Sequence, residues 1–121
     1  MYSPIVRGQI KPVEFLGTSL DDLRAFARGA GREAGFQIDR VQHGHEPFDW
    51  KPMAAVGQGV REIRLRDESG AYRILYLTRI EDAVYVIHCF QKKTQKTPAG
   101  DIDLARLRYK KLMDRVRRSR K

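Results

Sequence analysis

Arg64, Arg66 and Arg73, followed by Lys92, Lys93 and Lys96, are the side chains whose types and spacing point to chemistry in this sequence. A guanidinium binds phosphate oxygens in pairs through its planar fork, and lysine adds a compact point charge. Cations gathered on one surface hold a polyanion's backbone and stabilise charge that builds on a phosphate under attack. Arg73 stands apart because Tyr72, Ile74, Leu75 and Tyr76 surround it in an apolar segment, where an unpaired guanidinium is costly. His88, within the apolar run Val84 to Phe90, adds a group able to move a proton near neutral pH. A histidine so placed is more often a hydrogen-bonded core residue. For Arg66, Lys92 and Lys96 the plain alternative is a solvated sheet face whose charges guard an edge.

Those residues need strands to position them, and the pattern supplies three. Val60 to Arg66 alternates, with Ile63 and Leu65 on one side and Glu62, Arg64 and Arg66 on the other. Asp67 to Gly70 reads as a turn; Ala71 to Ile80 and Ala83 to Phe90 are rich in Tyr, Ile, Leu and Val, with Glu81 and Asp82 as a tight connection. Three consecutive strands with short turns predict an antiparallel meander, on whose concave face the arginines and the lysines of the exit segment converge. Tyr72, Tyr76 and Tyr85 are able to stack on bases, though aromatic residues on sheets usually pack.

Upstream, Pro12 to Leu16 suits a brief strand ended by Gly17. Ser19 is placed to cap a helix, with Asp21 and Asp22 in its first turn, so that pair reads as helix-start charge rather than as catalytic carboxylates. Leu23, Phe26, Ala27 and Ala30, then Ala34, Ile38 and Val41, recur at helical spacing. Gly29 and Gly31 predict a bend or break between them, and Gly44 suits the left-handed residue that closes a helix. His45 to Val56 reads as a loop, with Trp50 lying over the core. A last helix from about Asp101 carries Ile102, Ala105, Tyr109, Leu112, Met113 and Val116 on one stripe, with arginines and lysines opposite. The expected fold is α+β, with helices packed against one face of the meander and a basic C-terminal helix.

A chain of 121 residues has room for one domain, and its scattered Pro and Gly mark no linker. Its 41% hydrophobic content is enough for a core, which excludes a disordered chain. Met1 to Gly59 holds seven basic and seven acidic residues, whereas Val60 to Lys121 holds seventeen against eight, so the whole +9 excess belongs to the second half. That asymmetry predicts a polyanionic partner, nucleic acid before an acidic protein segment, and a membrane surface after both. No apolar run approaches the roughly 18 residues that cross a bilayer, and the N-terminus lacks a secretory pattern, which points to the cytoplasm. The lone Cys89 reads as a small buried hydrophobe in a reducing compartment. His43 and His45 have no convincing third ligand, so no metal site and no cofactor are expected. P-loop, dinucleotide, nucleophile-elbow and zinc-cluster patterns are absent from the sequence.

The runs Gly59-Val60-Arg61-Glu62-Ile63-Arg64, Tyr72-Arg73-Ile74-Leu75-Tyr76 and His88-Cys89-Phe90-Gln91-Lys92-Lys93-Thr94-Gln95-Lys96-Thr97-Pro98 resemble the phage-derived HigB-like branch of the RelE/ParE toxin superfamily. The similarity covers roughly Pro12 to Met113. The resemblance implies the toxin of a type II toxin-antitoxin module, an endoribonuclease that cuts messenger RNA on the ribosome. It implies attack by a ribose 2′-hydroxyl on the adjacent phosphate, driven by orientation and electrostatics rather than by a metal. By the same resemblance Arg73, Arg64 and Lys93 are the catalytic cations, and a helix-turn-helix antitoxin is the partner. The sequence departs from RelE at Glu62, where that family has lysine, and Tyr109 is a distant match for its C-terminal tyrosine; His88 stands in for the missing proton-transfer group. Two other readings compete. A ParE-like inhibitor of DNA gyrase tolerates loss of Arg73, and a non-toxic RNA-binding or phage-assembly module leaves cells unharmed on induction.

Overall fold

The computed structural model describes residues 10–120. Residues 1–9, from which the absence of a secretory leader was read, and Lys121 fall outside the described residues, as do those ends of the 1–121 domain.

The chain runs β1 (Val13–Phe15), α1 (Ser19–Arg24), α2 (Arg28–Gln42), β2 (Trp50–Pro52), β3 (Arg61–Asp67), β4 (Gly70–Ile80), β5 (Ala83–Lys92) and α3 (Ala99–Ser119). β3, β4 and β5 are the expected meander, paired antiparallel in sequence order. The sheet is larger than the meander: its order is β1-β5-β4-β3-β2, with β1 parallel to β5 and β2 antiparallel to β3. The fold is thus α+β with a mixed five-stranded sheet.

Alternation along β3 to β5 builds two cores, one on each face of the sheet. Ile63, Leu65, Tyr72, Ile74, Tyr76, Val84, Val86 and Cys89 pack beneath the α2 stripe of Ala30, Ala34, Ile38 and Val41. Leu75, Leu77, Tyr85, Ile87 and Phe90 pack on the other face beneath Ala105, Leu112 and Val116 of α3, with Met53, Val56 and Val60 closing the side. Helices therefore cover both faces, where one was expected. A helix stripe alone does not say which face it meets.

Local chemistry explains the ends. α2 stops in a Schellman arrangement: Gly44 (φ 87°) donates its N–H to the Val41 carbonyl at 3.0 Å, and His45 donates to that of Arg40 at 2.9 Å. Glu81 and Asp82, both at positive φ, form the two-residue connection between β4 and β5, whose twist matches such turns. The break between the first two helices falls at Ala25–Ala27 rather than at the glycines, and it lowers Phe26 against Tyr72, with ring centroids 4.6 Å apart. Gly29 and Gly31 lie in the first turn of α2, where fewer helical hydrogen bonds depend on them. Trp50 lies in a strand, not a loop, and its ring carries the Arg61 guanidinium 4.0 Å from its centroid.

Candidate nucleic-acid interface

On the α3 side of the sheet, α3 covers only part of the surface. Its buried residues Ala105, Leu112 and Val116 sit with Leu75, Leu77, Tyr85 and Ile87. Toward the β3–β4 turn the same face changes character. Residues paired directly across antiparallel strands project to one side. Pairing of Arg64 with Arg73, of Arg66 with Ala71 and of Ala71 with Lys92 therefore brings Arg64, Arg66, Arg73 and Lys92 together on one patch. Arg64 and Arg66 are exposed and Lys92 is half-buried.

Arg73 is the anchor of this patch. It is 7% exposed, and its Nη1 donates to the Tyr72 carbonyl at 3.0 Å. Its Nε lies 3.7 Å from Oε1 of Glu62, which is 1% exposed and has Lys51 Nζ at 3.8 Å from the same oxygen. Neither Arg73 Nε nor Glu62 Oε2 has a hydrogen-bond partner among the described residues. A buried ion pair offsets its desolvation only when the remaining donors and acceptors are met, and here they are not. Burial pushes the Arg73 pKa down from its ordinary value; Glu62 opposes the shift, while Arg64 and Arg66 add to it. Lys92 is also lowered, by desolvation first and then by the fields of Arg73, Lys51 and Arg64, with Glu62 opposing. Mutual repulsion among these cations is what a bound phosphate relieves.

His88 lies on this face because of a bulge: Leu75 pairs with His88 and Tyr76 with Val86, leaving Ile87 unpaired between them. It is 4% exposed, its ring stacked on Phe90 at 5.2 Å. Its Nε2 is 2.6 Å from Asp101 Oδ1 and its Nδ1 is 3.3 Å from Arg108 Nη1. A carboxylate only accepts and a guanidinium only donates, so Nε2 carries the proton and Nδ1 accepts. Arg108 also donates to the Ile87 carbonyl at 3.0 Å and to Thr18 Oγ1 at 2.9 Å. This network ties the start of α3 to β5 and to the entry of α1, and both ring nitrogens are used in it.

Lys93 and Lys96 are exposed in the segment after β5, beyond the paired rows that gather the other cations. Tyr72, Tyr76 and Tyr85 are buried in the two cores, so none presents a ring face to a base. Tyr109 packs into the α3-side core and donates its hydroxyl to the Gln58 carbonyl at 3.0 Å. Sequence reasoning noted Glu62 only as a departure, and missed it as Arg73's partner. The available signal was its place on the alternating charged side of β3. Lys51 gave no such signal, because the pairing of β2 with β3 puts it opposite Glu62.

No helix among the described residues is long and apolar enough to cross a membrane. Residues 21–110 match the family model described as phage derived protein Gp49-like (DUF891). No curated protein matches the chain.

Proposed function

Because the chain belongs to the phage-derived Gp49-like family, one associated with RelE-like toxins of toxin-antitoxin modules, we propose that it is the toxin of a type II module that cuts messenger RNA on the ribosome. The observation that carries this reading is the patch of Arg64, Arg66, Arg73 and Lys92, centred on an arginine held in a buried, incompletely bonded pair with Glu62. In-line attack of a ribose 2′-oxygen on its own 3′-phosphate, its proton passing to water, forms the O2′–P bond through a phosphorane with extra negative charge on its equatorial oxygens. It breaks the bond to the 5′-oxygen of the next nucleotide, leaving a 2′,3′-cyclic phosphate and a 5′-hydroxyl. Arg73 and Arg64, adjacent across β3 and β4, meet the equatorial oxygens, while Arg66 and Lys92 hold flanking phosphates. Glu62 acts as a positioning residue: it orients the Arg73 fork before substrate arrives. Lys93 and Lys96 extend the positive field along the path of the strand, and His88 serves by fixing α3 beside the patch. The same charge suits an acidic segment of a helix-turn-helix antitoxin, which would compete with RNA for it.

Induction of the chain without a partner, followed by mapping of messenger RNA 5′ ends, tests the reading. New 5′ ends are expected with the native chain. Arg73→Ala and Arg64→Ala should each lower cleavage by about 10²–10³-fold, the usual cost of losing one donor to a developing oxyanion. Circular dichroism of the purified variants separates lost chemistry from lost fold. Growth arrest with intact transcripts overturns the proposal.

A further inference from the structure

Helix α3 carries two stripes, and the sheet uses one of them. Ala105, Leu112 and Val116 are buried against the strands. Leu104, Leu107, Lys111 and Arg118 recur at spacings of three, four and seven residues on another face, the period of a helix that packs along a second helix. Leu104 is 37% and Leu107 49% exposed, one turn apart. Single exposed leucines need no explanation. These two share a groove of about 560 Å³ with Leu16, which follows β1, and with Lys111 and Arg118.

The walls of the groove are fixed. The Leu16 N–H donates to the Val86 carbonyl at 2.9 Å, which holds the β1 side. Arg108, also in the lining, donates to Thr18 Oγ1 at 2.9 Å and to the Ile87 carbonyl at 3.0 Å, and so ties that side to α3. Gly17 (φ 55°) makes room for it, because a Cβ there would stand 2.5 Å from Arg108 Nε. Charge is uneven along the groove. Arg115 is paired with Glu14 at 2.7 Å, and Asp114 is met by Arg117 at 3.2 Å and Lys110 at 4.0 Å, so these charges are matched within the chain. Among the described residues, Arg108, Lys111 and Arg118 form no ion pair with a carboxylate. The groove is thus apolar at Leu16, Leu104 and Leu107 and basic at Lys111 and Arg118.

We propose that this groove docks an acidic amphipathic helix of a partner protein, its apolar side chains on Leu16, Leu104 and Leu107 and its carboxylates on Lys111 and Arg118. The inference does not depend on the function proposed above. Leu104 to Arg118 spans about 21 Å at about 1.5 Å per residue, room for about four turns. Nucleic acid fits less well, because its phosphates gain nothing from three leucines. A bilayer takes up a protruding apolar face, not one sunk in a groove. A second copy of the chain brings a net charge of +9 to a basic surface, and residues 1–9 contain no acidic side chain to match it. The groove shares no lining residue with the patch of Arg64, Arg66, Arg73 and Lys92, so the two surfaces are separable by mutation.

The test uses the full chain and a fluorescein-labelled peptide of about four helical turns, with leucines along one stripe and glutamates beside them. A second peptide replaces each glutamate with lysine. Fluorescence anisotropy should show the native chain binding the glutamate peptide alone. Leu107→Ser should weaken that binding about tenfold, the size of one lost leucine contact. The double variant Lys111→Glu, Arg118→Glu should lose the glutamate peptide and take up the lysine peptide, a gain that misfolding does not produce. Arg66→Ala should bind as the native chain does. No binding of the glutamate peptide, equal binding of both peptides, or binding indifferent to Leu107→Ser and to the charge reversal overturns the inference. Binding of single-stranded RNA, of phosphatidylserine vesicles or of a second copy of the chain that is lost in Leu107→Ser also overturns it and assigns the groove to that occupant. The two readings fail separately, because intact transcripts remove the nuclease proposal and leave the peptide result standing.

Discussion

The two faces of the sheet are made by alternate residues of the same three strands, yet one is closed and the other is divided. Beneath α2 the buried inward positions of β3 and β4, Ile63, Leu65, Tyr72, Ile74 and Tyr76, are all apolar or aromatic. Beneath α3 the core of β4 ends at Leu75, and beyond it Glu62, Arg64, Arg73 and Lys92 continue the surface beside Ala71 and Phe90. The lesson is that helix coverage, not strand composition, decides where a sheet face becomes a site. α3 is anchored at its start by Asp101 on His88, and the charged rows begin next to that anchor.

The largest expected effect breaks the closed face. Ile74 is fully buried, and Ile74→Ala should cost about 2–5 kcal/mol of unfolding free energy by denaturant titration, with cleavage per folded molecule unchanged. An equal loss of activity per folded molecule would mean that the two faces are not independent.

A smaller effect sharpens the divided face. Glu62→Gln and Arg73→Met each leave one partner of a buried pair behind, so the double variant should be more stable than the sum of the single losses predicts, by about 0.5–3 kcal/mol. Additive losses would show that the pair does not interact and that Glu62 does not position Arg73.

The smallest effect is seen only in alkali and concerns the closed face again. Burial pushes the Cys89 thiol up to about 12 from an ordinary 9.0. The native state therefore holds a proton that the unfolded chain releases first, so stability declines as pH rises from about 9 towards 12. Cys89→Ala should flatten that alkaline limb in unfolding curves measured across the range. The native thiol should also resist alkylation at pH 8, because the thiolate is the reactive form. Rapid labelling of the folded chain would mean that this face opens.

Periodicity made α2 legible because its stripe repeats over four turns, and Gly44 was legible because few residues other than glycine accept φ near +90°. β1, though three residues long, was marked by the short run that Gly17 ends. β2 was harder, because it is as short and ends in Pro52, which cannot donate to a ladder, so it depends on β3 to template it. Among the site residues, Arg73 was legible as a charge inside an apolar strand, whereas Lys93 and Lys96 shared its composition but not its row.

By itself the sequence determined which residues alternate, where the positive charge lies and which stretches form the meander and long helices. These are local properties, written in spacing and side-chain type. The tertiary structure decided that α1 and α2 take one face and α3 the other, that His88 is enclosed by Asp101 and Arg108, and that Arg73 is held by Glu62. Those outcomes depend on register and on which residues a distant helix covers, and contacts between segments far apart in the chain leave no periodic trace.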